Sequence, residues 1–326
     1  MIAGLKKWFL QEKRDFPWRH NPTPYQVWIS EVMLQQTQAS VVVGYFDRWM
    51  QKFPTLKTLA EAPLEEVMKA WEGLGYYSRA RNLHAAARMM QGAVPSNRGA
   101  LESLPGFGPY TVGAVLSFAH HQKAVAVDAN VRRVISRLFA SEEDIPAKTE
   151  SLLPSKEPWI IMEALIELGA VICQKKARCH ACPLQRDCQA FQKGVVELFP
   201  TPKKKAPITK LERRVAVIWS EGAFLVRQEE VGKVLGGLFL FPYVERSDDW
   251  DFPLEMKFVT HMPPIEHGFT RYRAILFPEV WQASKQKEIK GYLWVSEKKI
   301  KNFAFASGHR QILQKVMHAY PAHRKF

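Results

Sequence analysis

From Leu104 to Arg133 the chain reads LPGFGPYTVGAVLSFAHHQKAVAVDANVRR, and no other stretch restricts its possible folds as strongly. Gly106 and Gly108 permit a backbone reversal that residues with a Cβ resist. Pro109 follows, preset for the first position of a helix. The pattern predicts a tight hairpin and then a helix over Tyr110–Ala119. The first N–H groups of such a helix have no partners within it, so they suit a phosphate oxygen. An ordinary turn between helices would use the same glycines. The apolar run Val125–Val127 then leads to Asp128, placed to cap a helix over Ala129–Phe139. Its carboxylate would stand at a helix mouth, where partial positive charge favours the ionised form.

The flanking sequence is also helical in period. Residues 1–16 form an amphipathic pattern with Leu5, Trp8 and Phe9 on one side. The proline-rich segment PWRHNPTPY holds Trp18 and Arg19; it is either a connector or the lining of a pocket for a flat base. Tyr25–Gln35 reads as a helix in which Glu31 has Val27, Trp28 and Leu34 as its three- and four-residue neighbours. A carboxyl emerging from that stripe is partly desolvated, its pKa rises, and it gains the properties of a general acid. Gln35–Gln38 is either a break before a helix at Ala39–Phe53 or a set of hydrogen-bonding side chains offered to a groove. Residues 54–97 show two helical patterns around Gly73-Leu74-Gly75. Tyr76, Tyr77, Arg79 and Arg81 follow that turn. They suit insertion between bases with phosphate contact, or equally core tyrosines beside solvated arginines. Ser141–Ser155 reads as a polar loop. Trp159–Cys173 reads as an apolar helix that carries Glu163 and Glu167.

The net charge of +14 favours a polyanionic partner, nucleic acid before an anionic membrane. No run of about eighteen apolar residues is present, and the N-terminal stretch lacks a signal-peptide core. The expected location is intracellular: cytoplasmic, and nucleoid-associated in a bacterium. All four cysteines, Cys173, Cys179, Cys182 and Cys188, follow the spacing C-x5-C-x2-C-x5-C. In a reducing compartment such clustering indicates a tetrathiolate metal site. Zinc ribbons pair two C-x2-C units; the uneven spacing here fits an iron–sulfur cubane better. From about Phe199 a basic, proline-rich linker begins, and beyond it the apolar period changes to two. Strands are expected at RRVAVIWS and GAFLVRQ, then Leu238–Val244, Lys257–His261, Phe269–Trp281 and Gly291–Val295, with a closing helix near His309–His318.

SEVMLQQTQ at 30–38, GLGYYSRARNLH at 73–84, LPGFGPYTVGA at 104–114, VDANVRRV at 127–134 and the cysteine loop occur in one order. In these motifs the chain resembles the helix–hairpin–helix DNA glycosylases, and most nearly the MutY-type A/G mismatch adenine glycosylases. The resemblance implies an all-α glycosylase core with an iron–sulfur loop and a C-terminal α+β Nudix-like domain. It divides the chain into a helical domain 1–198 (20–119 as hairpin subdomain, 1–19 with 120–198 as cluster subdomain), a linker 199–213 and a mismatch-recognition domain 214–326.

The resemblance also assigns roles. Asp128 matches the essential aspartate, Glu31 the proton donor and Asn130 the residue assisting Asp128. Tyr110 stands where lyase relatives similar to endonuclease III carry a nucleophilic lysine. A tyrosine forms no Schiff base, so the expected enzyme is monofunctional. Trp18, Arg19, Leu34 and Glu163 match an adenine pocket; Gln36 and Tyr76 match residues inserted into the DNA stack; Gly106 and Gly108 form the phosphate grip. The four cysteines match [4Fe-4S] ligands, with five residues rather than the usual six between the first two. The expected partner is duplex DNA with adenine opposite 8-oxoguanine or guanine, bound by a monomer. Phe269-Thr270-Arg271 matches a Phe-Ser-His turn, with Thr270 keeping the hydroxyl. The Nudix catalytic box is missing after Gly236-Gly237, so no nucleotide hydrolysis is expected. The competing readings are a bifunctional glycosylase/lyase and a mismatch-binding protein without catalysis.

Overall fold

The computed structural model describes residues 1–202, 207–269 and 271–319. It divides into two compact units: Met1–Ala62 with Asn82–Lys204, and Pro63–Arg81 with Lys205–Phe326. The boundaries read from sequence do not show the transfer of Pro63–Arg81 to the second unit. Its cause is a set of polar anchors. Glu72 accepts from Phe305 N and Arg310 Nε, and Arg81 donates to Gly236 O.

The chain opens with α1 (Ile2–Glu12), α2 (Pro24–Leu34), α3 (Ala39–Lys52), α4 (Leu56–Glu61), α5 (Leu64–Ala70) and α6 (Ser78–Met89). Residues 54–97 therefore hold three helices where periodicity indicated two. Pro63 is the reason: it disfavours helical backbone at Ala62, ends α4 and caps α5. Next come α7 (Arg98–Glu102) and α8 (Pro109–Ala114), the latter widening into a π turn at Val115–Ala119. Then follow α9 (Ala129–Leu138), α10 (Ile145–Leu152), α11 (Pro158–Val171) and the short α12 (Gln189–Gln192). The segment expected as a loop at Ser141–Ser155 contains α10. Asp144 caps it, and Ile145, Thr149 and Leu152 are buried beneath its polar surface.

In the first unit one apolar cluster joins Leu5 and Phe9 of α1 to Val131 and Ile135 of α9 and to Ile161, Leu165 and Leu168 of α11. Charge pins the same contact. Lys6 meets Glu157 at 2.7 Å, and Arg14 meets the fully buried Glu167 at 2.6 Å.

The second unit is an eight-stranded mixed sheet. Its strands are β1 (Thr209–Ser220), β2 (Ala223–Gln228), β3 (Phe239–Leu240), β4 (Tyr243–Glu245), β5 (Met256–His261), β6 (Ile265–Phe269), β7 (Tyr272–Ala283) and β8 (Leu293–Ser296). Their order is β3-β2-β1-β7-β5, with β4 on β1, β6 on β7 and β8 on β2. The hairpin expected between β1 and β2 turns through Glu221 and Gly222, both at positive φ. Alternation along β1 sends Val215 and Val217 to one face and Ala216 and Ile218 to the other. The first face is covered by α14 (Ser307–Ala319), which follows the short α13 (Glu297–Ile300). Two expected strands are split, Leu238–Val244 into β3 and β4 and Phe269–Trp281 into β6 and β7. Thr270 lies outside the described residues.

Candidate active site

The site of the first unit is built on α2. Thr23 and Gln26 form a reciprocal capping box that fixes where this helix begins. Val27 and Trp28 are buried at 3% and 1% exposure, and Glu31, one turn on, is only 8% exposed. The hairpin reaches α2 through Phe107, whose ring stacks on Trp28 at 5.6 Å, and through Gln35, whose amide donates to Thr111 at 3.1 Å. Gly106 has φ +81°, and a Cβ there would lie 2.8 Å from Asn82 Cβ. Gly108 differs from expectation, because its backbone is ordinary extended (φ −78°) and its surroundings are open. Its missing side chain leaves the mouth of α8 uncovered instead of allowing the turn.

This hairpin sets Tyr110 beside Glu31, and the phenol donates to Glu31 Oε2 at 2.6 Å. Asp128 comes to the same place because α8 lets the segment before α9 pass very close: a Cβ on Gly113 would lie 1.9 Å from Val125 O. Asp128 caps α9, accepting from Val131 N at 2.7 Å and from Asn130 Nδ2 at 2.8 Å. Asn130 is itself fixed. Its Oδ1 accepts from Arg133 Nη2 at 2.8 Å, and Arg133 also donates to Gly169 O and Cys173 O. A Cβ on Gly169 would lie 2.6 Å from Asn130 Cβ, so α11 can approach only as glycine there.

Burial pushes the Glu31 carboxyl up to about 7; the Tyr110 hydrogen bond opposes the rise, while the negative charges of Glu163 and Asp128 add to it. Burial also drives the Tyr110 phenol well above its usual value, with the Glu31 charge next. Asp128 moves upward too, because burial outweighs the hydrogen bonds from Val131 and Asn130. Sequence reasoning had expected the helix mouth to hold Asp128 low and so separate the two acids in opposite directions. Desolvation is the reason it does not; both rise. Burial raises Glu163 as well, with Arg19 the first opposing charge.

The other expected pocket residues divide. Arg19 bonds to Glu167 Oε2 at 2.9 Å and to Arg14 O. Burial alone would raise Glu167, but Arg14 and Arg19 together hold it below the usual carboxylate range. Trp18 is 7% exposed, stacked on Phe16 at 4.8 Å and edge-on to Phe46. It packs in the core, while the Arg19 guanidinium lies over the Phe9 and Phe16 rings. Leu34 is half-buried at the end of α2, and Gln36 is exposed with φ +57°. Tyr76, in the second unit, is 44% exposed. Two functional links escaped sequence reasoning. The Tyr110–Glu31 bond spans 79 residues and leaves no local signal. Arg133 reads in sequence only as added charge, and its bond to Asn130 appears in the structure alone.

The four cysteines, none in a disulfide, line one recess with Arg137, Ile172 and Phe191. Among the described residues no three Cys, His, Asp or Glu side chains close on a single-ion site. Four thiols around one recess are a donor set that an iron–sulfur cluster could use. Arg137, 3% exposed, lines the recess with Nη1 at 3.4 Å from Cys173 Sγ. A buried cation there suits an anionic cluster.

Residues 29–158 match the HhH-GPD superfamily of base excision DNA repair proteins, and residues 214–315 match the NUDIX domain. Rat adenine DNA glycosylase is 30% identical, covering 99% of this chain and 78% of that protein. The enzyme of the same name from Buchnera aphidicola subsp. Baizongia pistaciae is 33% identical, over 73% of this chain and 71% of its own length. A solved endonuclease III–DNA complex superposes with a TM-score of 0.52 at 27% identity, covering 59% of this chain and 94% of that one. The helical fold and these matches define a DNA glycosylase of base excision repair. Within that class, the chain belongs to the adenine DNA glycosylase family. Among the described residues no helix is long and apolar enough to cross a membrane.

Proposed function

We propose that this chain hydrolyses adenine from duplex DNA in which the adenine faces 8-oxoguanine or guanine, and stops at the abasic site. The observation that carries the reading is the triad Glu31–Tyr110–Asp128: one acid poised near neutrality, one anion held by two donors, and no amine between them. The adenine is extruded from the stack, as base chemistry on duplex DNA requires. Glu31 gives its proton to the departing base, since adenine leaves poorly as an anion. The C1′–N9 bond breaks, and Asp128 faces the positive charge that develops on the sugar. Water adds at C1′, and its proton restores Glu31. The division of labour is that of paired carboxylates in glycoside hydrolysis. Phosphate contacts at the hairpin and at the basic residues of the cysteine loop position the duplex without reading its sequence.

The test is a duplex with A opposite 8-oxoguanine, and another with A opposite G, scored separately for adenine release and strand scission. Release is expected without scission until alkali is added, and borohydride should trap no adduct at the turnover rate. No adenine release sinks the enzyme reading; trapping at the turnover rate revives the lyase. The sequence after Gly236-Gly237 lacks the Nudix catalytic box and runs into β3 and β4, so no nucleotide hydrolysis is proposed for this unit.

We also propose that Cys173, Cys179, Cys182 and Cys188 hold a [4Fe-4S] cluster, which would cross-link the loop through four Fe–S bonds. Purified protein should be brown, with iron and acid-labile sulfide each near four per chain by the usual cubane stoichiometry. A colourless protein with about one zinc per chain would refute this.

A further inference from the structure

The turn from α5 to α6 combines strain with exposure. Gly73, Gly75 and Tyr76 have φ of 100°, 71° and 46°. An L residue such as Tyr76 takes that backbone only where its surroundings hold it there. Even so, its ring is 44% exposed. The turn is braced from beneath. Arg79 Nη2 donates to Leu74 O and Gly75 O at 3.0 and 3.1 Å, and its guanidinium lies 5.6 Å from the Tyr76 ring. Trp71 Nε1 donates to Gly75 O, and Gly73 N donates to the Tyr77 hydroxyl.

Each end of the braced turn is tied to a distant part of the sequence. Before it, Glu72 Oε1 accepts from Phe305 N at 3.0 Å and from Arg310 Nε at 2.7 Å, while Lys69 sits on Oε2 at 2.5 Å. After it, Arg81 Nη1 donates to Gly236 O at 2.5 Å. Arg310 is positioned in turn by Phe303 O and by the Phe305 ring at 5.0 Å. Charge-assisted bonds at both ends of a five-residue turn restrict it far more than one would.

We propose that Glu72 and Arg81 are positioning residues, through which Arg310, Phe305 and Gly236 of the C-terminal domain hold the Tyr76 turn in the shape that inserts into a base stack. Grip on a mismatched duplex then depends on an anchor far from any base. This rests on the reading of Tyr76 as the inserted side chain.

A double-mutant cycle on the full chain tests both levels. Affinity is measured for a duplex holding 2′-fluoro-2′-deoxyadenosine opposite 8-oxoguanine, which resists cleavage. Tyr76→Ala should weaken binding about 10- to 100-fold, the range for losing one base-stacking aromatic. Glu72→Gln should weaken it about tenfold, and the double variant should bind no worse than Tyr76→Ala, since coupled positions are non-additive. Arg310→Lys, which keeps a cation, should bind better than Arg310→Met. A 2-aminopurine beside the lesion should brighten less with Glu72→Gln than with wild type, a signal that a loss of general stability does not produce. If the Tyr76→Ala and Glu72→Gln losses simply add, the clamp is wrong while insertion stands. If Tyr76→Ala binds like wild type, the insertion reading itself fails. Arg81→Met, at the other end of the turn, provides the same cycle should Glu72→Gln not fold.

Discussion

Asp128→Asn should lower adenine release by about 10³- to 10⁴-fold, the range in which removal of a key electrostatic group at an active site falls. The substitution is nearly isosteric, so the α9 cap should survive: the new amide oxygen can still accept from Val131 N. Two things are lost. The anion facing the sugar disappears, and with it the stabilisation of an oxocarbenium-like transition state. The second loss follows from the neighbours. The Asn130 amide donates to Asp128 Oδ2, and Asn130 cannot turn over to accept, because its own oxygen is held by Arg133. A new amide at position 128 therefore presents a donor to a donor. Single-turnover release under saturating enzyme isolates the chemical step from binding. A thermal midpoint within a few degrees of wild type is the expected control, since the bond that caps α9 is retained. Undiminished release would remove Asp128 from the mechanism.

How much of this was legible in the residues depends on distance along the chain. Glu31 stood out because Val27 and Trp28 are one turn away, and helical period alone predicts its desolvation. Asp128 stood out because a cap announces itself next to its helix. The strand alternation of β1 and β2 was equally local. What sequence did not supply are contacts whose partners share no local pattern. Tyr110 was read by its chemistry as a missing lysine, yet its bond to Glu31 depends on Phe107 stacking on Trp28. The upward shift of Asp128 needed knowledge of what covers it. The parallel pairing of β1 with β7 joins residues about sixty apart, and periodicity cannot distinguish it from the antiparallel alternative. Trp18 was open in sequence between a connector and a pocket wall, and its burial, stacked on Phe16 and edge-on to Phe46, depends on partners that no local pattern names. The extra helix break at Pro63 was readable and follows from local backbone restriction alone.

Glu31 gives the second large effect, in which one substitution moves activity and stability in opposite directions. Its carboxyl titrates at about 7 in the folded chain because burial disfavours the charged form. A general acid works only while protonated, so the single-turnover rate should fall about tenfold per pH unit above that value. At low pH, protonation of Asp128, itself raised by burial, closes the window from the other side. The groups interact, so the limbs report the cluster and not single residues. The unfolded chain releases the Glu31 proton at its model value of 4.5, and the folded chain holds it until about 7. Between those values the folded state binds more protons, so stability falls as pH rises and stays lowered above the folded value. A shift of this size corresponds to roughly 3 kcal/mol. Glu31→Gln removes that penalty while keeping an acceptor for the Tyr110 phenol. It should therefore melt higher than wild type at pH 8 and by much less at pH 5, and it should lose at least about 10²-fold in base release at any pH, the usual contribution of a general acid. Melting curves and single-turnover rates from pH 5 to 9 decide it. A Glu31→Gln variant that still shows an alkaline limb near 7 would assign the acid to another residue, with Glu163 the next candidate by burial.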